Sequence, residues 1–242
     1  MSSSVVSELA PHGVLRAAIN MSNFLLVTGR TPSGDPAGVS PDMAAAIAER
    51  LGVPVTYVPY PKPGELADAA GTDAWDIGLI GAEPARAEKI AFTAAYVEIE
   101  ATYLVQPGSP LQSIADVDRP GIRISVTARS AYDLWLERNI RHATLVRSDP
   151  QHSALDLFLR DKLEAMAGLR PGLLGDVQKV PGSRILDGKF TAVQQAIGTQ
   201  RSNAAGAAFL RAFVEEAKRS GLVGRLIEKH GVVGRLSVAP PG

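Results

Sequence analysis

Short apolar segments alternate with helix-length amphipathic segments through most of the chain, and this alternation limits the fold more than any other feature. The run WDIGLIG (75–81) is too apolar for a strand with one wet face and suits a sheet covered on both sides. Strand–helix–strand order then predicts an α/β fold with parallel strands. LRAAIN (15–20) reads as the first strand, VPVTYVPY (53–60) as the second and WDIGLIG as the third. Between the first two, Ser40-Pro41-Asp42 is expected to open a helix, with Ser as N-cap and Pro at the first helical position. Met43, Ile47 and Leu51 fall on one face of that helix, and Gly52 suits its stop.

A short helix near 64–70 precedes the third strand, and EPARAEKIAF (83–92) reads as a helix opened by Pro84. A similar set follows. IRISV (122–126), ATLVR (143–147) and LEAMAG (163–168) are strands, and Ser130 and Ser153 start the helices between them. The tail NAAGAAFLRAFVEEAKRSG (203–221) is a strong helix with Asn203 as candidate cap, and LVGRLIEKHG is a last short one. TYLVQ and TAVQQAIG are candidate crossings between the two sets. The expectation is two lobes joined by two hinge-crossing strands with a ligand cleft between them. The first lobe takes 1–100 and returns over 196–242, and the second takes 101–195.

The 242 residues suffice for two lobes with separate cores. Lys+Arg and Asp+Glu are 25 each, so no long-range field draws the chain to nucleic acid or an anionic membrane. Aromatics at 5% argue against a base-stacking surface. With no Cys, disulfides, thiolate metal sites and a Cys nucleophile are excluded, and the four His show no metal-ligand spacing. No cofactor, metal or catalytic motif is expected. The first 20 residues lack the basic and apolar regions of a standard export signal. That reads as a mature form with a replacement Met, or as a protein not exported that way.

Two cations beside helix starts are the chemical candidates. Arg86 lies in the first turn after Pro84, where the positive end of a helix dipole disfavours it. Either it pairs with Glu83 at the surface, or it joins free helix N–H groups around a bound carboxylate. Arg129-Ser130 repeats the arrangement. Ser130 is first an N-cap, and with the backbone of Ala131 it is a candidate second anion site, so that a ligand touching both would favour a closed state.

GVLRAAIN, GVSPDMAAAIAERLGVPV, AWDIGLIGAEPARAEKIAFTAAY, SIADVDRPGIRISV and DKLEAMAG, in this order, resemble the family 3 extracellular solute-binding proteins of polar amino-acid ABC importers. The resemblance runs from about Gly13 to Gly231 and implies a two-lobed, type II periplasmic-binding-protein-like fold. It also implies a periplasmic monomer, no cofactor, and an ABC transporter permease as candidate partner. Arg86 matches the family's carboxylate-gripping Arg, Ser130 its hydroxyl residue, and Asn23 or Phe24 the place of its stacking aromatic. Gly81-Ala82 replaces a Ser/Thr-rich loop, Leu169-Arg170 stands where an acid for the ligand's amino group is expected, and Arg129 replaces a common Gly. Loss of that acid leaves a buried ammonium uncompensated, so the ligand is expected to keep a carboxylate without being an α-amino acid held in the usual way. Glu100 or Glu98 remains as a substitute anion. An inward Arg129 suits a doubly anionic ligand, and an outward one is a surface residue. The rival readings are a cytoplasmic binding or sensor protein and a cyclohexadienyl-dehydratase-like lyase.

Overall fold

An order of buried strands and one-faced helices gives this chain a mixed α/β fold. The computed structural model describes residues 3–242. The chain divides into two units: residues up to Glu98 together with Gln194–Gly242 form the first, and Ile99–Val193 the second. None of the helices among the described residues is long and apolar enough to cross a membrane.

The first unit opens with α1 (Ser3–Leu9), β1 (Leu15–Asn20), the short pair β2 (Gly29–Arg30) and β3 (Pro36–Ala37), and α2 (Val39–Leu51). It continues with β4 (Val55–Tyr60), α3 (Pro63–Asp68), β5 (Ile77–Gly81), α4 (Pro84–Ala87) and β6 (Ile90–Phe92), and reaches the start of β7 (Val97–Val105). β1 pairs in parallel with β4 on one side and β5 on the other. Every residue of β5 is buried, as its composition requires of a central strand. A single carboxylate fixes β5 against β1. Asp76 Oδ2 accepts from Arg16 N at 2.8 Å and Nε at 3.1 Å, and Oδ1 accepts from Nη2 at 2.8 Å.

α2 buries Met43, Ile47 and Leu51, and Gly52 closes it in the left-handed conformation. Its start differs from the sequence expectation. Gly38, not Ser40, occupies the N-cap, and Ser40 lies inside the helix with its Oγ 2.8 Å from the Tyr96 hydroxyl. Ser40 N instead donates to the Leu26 carbonyl at 3.1 Å, so a distant backbone group does the work of a capping side chain.

The second unit takes the rest of β7, then β8 (Arg123–Val126), α5 (Ala131–Asn139), β9 (Thr144–Arg147), α6 (Ala154–Arg160), β10 (Ala165–Leu169), α7 (Arg170–Asp176), β11 (Arg184–Ile185) and the start of β12 (Thr191–Gln200). β8 pairs in parallel with β9 and β10, and β10 runs antiparallel to β7. One sheet face packs Val105, Ile124, Val126, Leu136 and Ala165 together, and the other Leu104, Phe158, Met166 and Leu173. Ser153 and Asp156 form a reciprocal capping box at the start of α6.

On β8, the Ser125 hydroxyl is buried without a hydrogen-bond partner. A hydroxyl in that condition costs free energy that an apolar atom would not. Ser125→Ala is therefore expected to raise unfolding stability by about 1 kcal/mol, read from the urea midpoint. A lowered midpoint would mean the hydroxyl has a partner in solution.

β12 returns the chain to the first unit, where it lies antiparallel to β5 and β6. α8 (Ala204–Arg219), α9 (Leu222–Lys229) and β13 (Ser237–Val238) complete that unit, β13 pairing with Val97 and Glu98 of β7. Asn203 stands at the N-cap of α8 but makes no capping bond with its side chain. Its Nδ2 donates to the Glu8 carbonyl and to Thr199 Oγ1, tying α1 and β12 to the helix start.

Candidate ligand-binding site

β5 ends at Gly81, and the chain turns there because Ala82 N donates to the Gln194 carbonyl of β12 at 2.7 Å. Glu83 precedes Pro84, whose fixed φ starts α4. That helix is one turn of four residues rather than the longer helix expected over 83–92. β6 begins at Ile90 because Ile90, Ala91 and Phe92 pair with Gln200, Thr199 and Gly198 of β12. One turn has little dipole, so the macrodipole argument for Arg86 does not hold. Burial replaces it. Arg86 is only 5% exposed and Glu83 only 9%, so neither side chain lies at the surface. Arg86 Nη1 donates to the Gly81 carbonyl at 2.7 Å, so the side chain folds back onto the strand end that precedes its turn.

Asn23 is buried in the same unit. Its Oδ1 accepts from Leu25 N at 3.2 Å and Leu26 N at 3.3 Å, so the oxygen holds its own turn. The neighbouring Phe24 is exposed, with the Arg235 guanidinium 5.7 Å from its ring centroid.

In the second unit, Ser130 caps α5 as the sequence indicates: its Oγ accepts from Asp133 N at 3.1 Å. Arg129 is exposed and adopts φ 60, the left-handed region, which explains why a Gly suits that position. Ala131 packs with Ala101 and Val193, against Leu169, Tyr132 and Phe190. This packing gathers the start of α5, the β7 segment after Glu100 and the β10 end before Arg170 at one place in the unit.

Glu100 is already engaged there. Arg170 Nε donates to its Oε2 at 2.9 Å, and Lys189 Nζ stands 3.5 Å from Oε1. The Arg170 hydrogen bond first, against some burial, holds this carboxyl below its usual range. Arg170 also donates to the Gly188 carbonyl. Glu100 thus compensates two cations of its own unit. Glu98, in the first unit, accepts from Gln194 Nε2 at 2.9 Å.

Two hydroxyls escaped the sequence reading. Burial pushes the Tyr132 phenol up, while hydrogen bonds with the Thr127 and Ser130 side chains pull it back, so three hydroxyls meet at the α5 start. The signal available was Tyr132 two positions after a capping serine. Among the described residues there is no group of three or more His, Asp or Glu placed to hold a metal ion.

The profile of the bacterial extracellular solute-binding proteins, family 3, matches residues 19–233. Cyclohexadienyl dehydratase of Pseudomonas aeruginosa is 26% identical over 173 residues, which span 66% of this chain and 63% of that enzyme's length. Among solved structures, an ArgBP mutant from T. maritima is similar at a TM-score of 0.72 and 22% identity, covering 94% of this chain and 99% of that one. An ancestral amino acid-binding protein described as a precursor of cyclohexadienyl dehydratase gives 0.73 and 19%, with the same coverage of 94% and 99%. The substrate-binding protein of an amino acid ABC transporter gives 0.70 and 17%, covering 90% and 98%. At these identities the structural likeness speaks for the fold.

Proposed function

The chain belongs to the bacterial extracellular solute-binding proteins, family 3, and from that membership we propose that it captures a small carboxylate-bearing solute and presents it to an ABC-type importer. Arg86 anchors the carboxylate, and Ser130 with the adjoining N–H groups of α5 is the second candidate anion contact. Asn23 and Gly81 shape the surroundings of the anchor rather than carrying charge. The observation that carries this reading is the burial of Arg86 beside the end of β5 in a chain of this family. Structural neighbours named as amino acid-binding proteins support the same class of solute.

Calorimetry with L-glutamine, L-glutamate, L-arginine, L-lysine, succinate and glutarate tests it. At least one carboxylate is expected to bind, and Arg86→Ala to weaken that binding by more than about 10-fold. Arg86→Lys keeps a charge without the planar donor pair and is expected to fall between the two. Unchanged affinity in Arg86→Ala removes this residue from the site.

A lyase acting on a cyclohexadienyl compound is the second reading, favoured by the similarity to cyclohexadienyl dehydratase. Such chemistry needs a proton donor or acceptor positioned at the substrate, and Arg170 and Lys189 already engage Glu100. Incubation with prephenate is expected to give no turnover above the uncatalysed rate. The family is described as extracellular, and fractionation of the native protein separates an importer component from a cytoplasmic binder.

A further inference from the structure

The first turn of α5 brings together two features that oppose each other. Ser130 Oγ serves Asp133 N, and the N–H groups of Ala131 and Tyr132 are the first-turn donors that the cap does not use. A negative group is favoured at such a helix end. Asp133 already sits in this turn, however, with its carboxylate only 2% exposed, and an incoming anion would meet its charge.

Arg147 resolves the conflict. At the end of β9, its Nε donates to Asp133 Oδ1 at 2.9 Å and Oδ2 at 3.1 Å, while Nη2 reaches Glu137 Oε1 at 3.2 Å. Asp133 Oδ2 also accepts from Arg129 N at 2.7 Å, which holds the left-handed residue in place. The next residue of the chain, Ser148, accepts from Ala128 N through its Oγ at 2.9 Å. Ser130 N closes the turn on the Thr127 carbonyl at 3.2 Å. All three N–H groups from Ala128 to Ser130 are therefore taken, two of them by the α5 carboxylate and by the chain at the end of β9.

We infer that Arg147 is a positioning residue of the ligand site: it cancels the charge of Asp133 and pins the 127–130 turn, so that Ser130 and the first N–H groups of α5 can receive an anion. This rests on the reading of Ser130 as a ligand contact. Arg147 itself touches no solute.

The test is calorimetry of the same panel with Arg147→Gln and with the double variant Arg147→Gln/Asp133→Asn. The tightest panel carboxylate is expected to bind about 10-fold more weakly to the single variant. The double variant should regain most of that loss, because an amide oxygen still accepts from Arg129 N but carries no charge. Raising salt from about 20 mM to about 500 mM should narrow the gap between wild type and Arg147→Gln, since the loss is one of charge. A merely structural role would show neither the Asn rescue nor the salt effect. Wild-type affinity in Arg147→Gln, or no recovery in the double variant, overturns the inference while leaving the proposed function standing. If no panel compound binds the wild type, the proposed function fails and takes this inference with it. Should Arg147→Gln not fold, Asp133→Asn alone must bind the carboxylate at least as tightly as wild type, and weaker binding there overturns the inference.

Discussion

Gly38→Ala is expected to lower the unfolding stability of the first unit by about 4 kcal/mol or more, enough to unfold much of the population of a marginal domain. Gly38 holds φ 153 and ψ −173, a combination that an L side chain does not tolerate. Space is closed as well as conformation. A Cβ there would stand 2.2 Å from the Leu26 carbonyl oxygen, 2.8 Å from Val27 Cα and 2.9 Å from Leu26 C. All three are backbone atoms, so no rotamer change relieves the contact. The Leu26 carbonyl cannot withdraw freely either, because it accepts from Ser40 N and so closes the start of α2. Urea unfolding followed by circular dichroism measures the loss, and a change below about 1 kcal/mol would contradict this account of the helix start.

Asp76→Ala is the second large effect, with an expected loss of about 3–5 kcal/mol. Its carboxylate is buried at the entry to β5 and takes three hydrogen bonds from Arg16, one from the backbone and two from the guanidinium. Asp76 N donates to the Arg16 carbonyl at 2.9 Å, and its own carbonyl accepts from Thr199 Oγ1 at 2.8 Å, so β1, β5 and β12 meet at this residue. Removing the carboxylate leaves a mostly buried guanidinium with only Asp73, at the surface, as partner. Asp76→Asn keeps the shape and loses the charge, and should cost less. Replacing both partners together, as in Arg16→Met/Asp76→Leu, should recover more than half of the Asp76→Ala loss, since neither charge is then stranded. Equal losses in the single and double variants would show that the pair is not what binds these strands.

The order of strands and helices was legible because burial and hydrophobic period coincide in this chain. β5 was readable from WDIGLIG, α2 from Met43, Ile47 and Leu51, and the α5 cap from Ser130, each a local signal. What failed were places where a distant group supplies what a neighbour usually does. Ser40-Pro41 has the signature of a helix start, yet the Leu26 carbonyl and the conformation of Gly38 set the boundary earlier. Pro84 does open a helix, but pairing with β12 claims the chain from Ile90 and leaves a single turn. Asn203 sits at its helix start and spends its side chain on Glu8 and Thr199.

The site divides in the same way. Arg86 could be singled out from its place after Pro84, but its burial depends on tertiary packing that no spacing reveals. Glu100 and Arg170 are 70 residues apart and face each other only because β10 pairs with β7 at Leu169 and Ala101. That pairing turns the unexpected Arg170 from a missing acid into the partner of a neighbouring one. Arg129 was noticed because a Gly is common at that position, and φ 60 supplies the reason.

The central claim is that a guanidinium buried beside the end of β5 receives the carboxylate of a captured solute. The direct measurement is a calorimetric cycle that compares the tightest carboxylate ligand with the same compound bearing a carboxamide, in wild type and in Arg86→Ala. The amide is expected to bind wild type about 100-fold more weakly, the scale of a charge-assisted pair lost from a buried site, and the difference should collapse in Arg86→Ala. Equal affinity for acid and amide in the wild type, or a preference that survives the loss of Arg86, would contradict the claim.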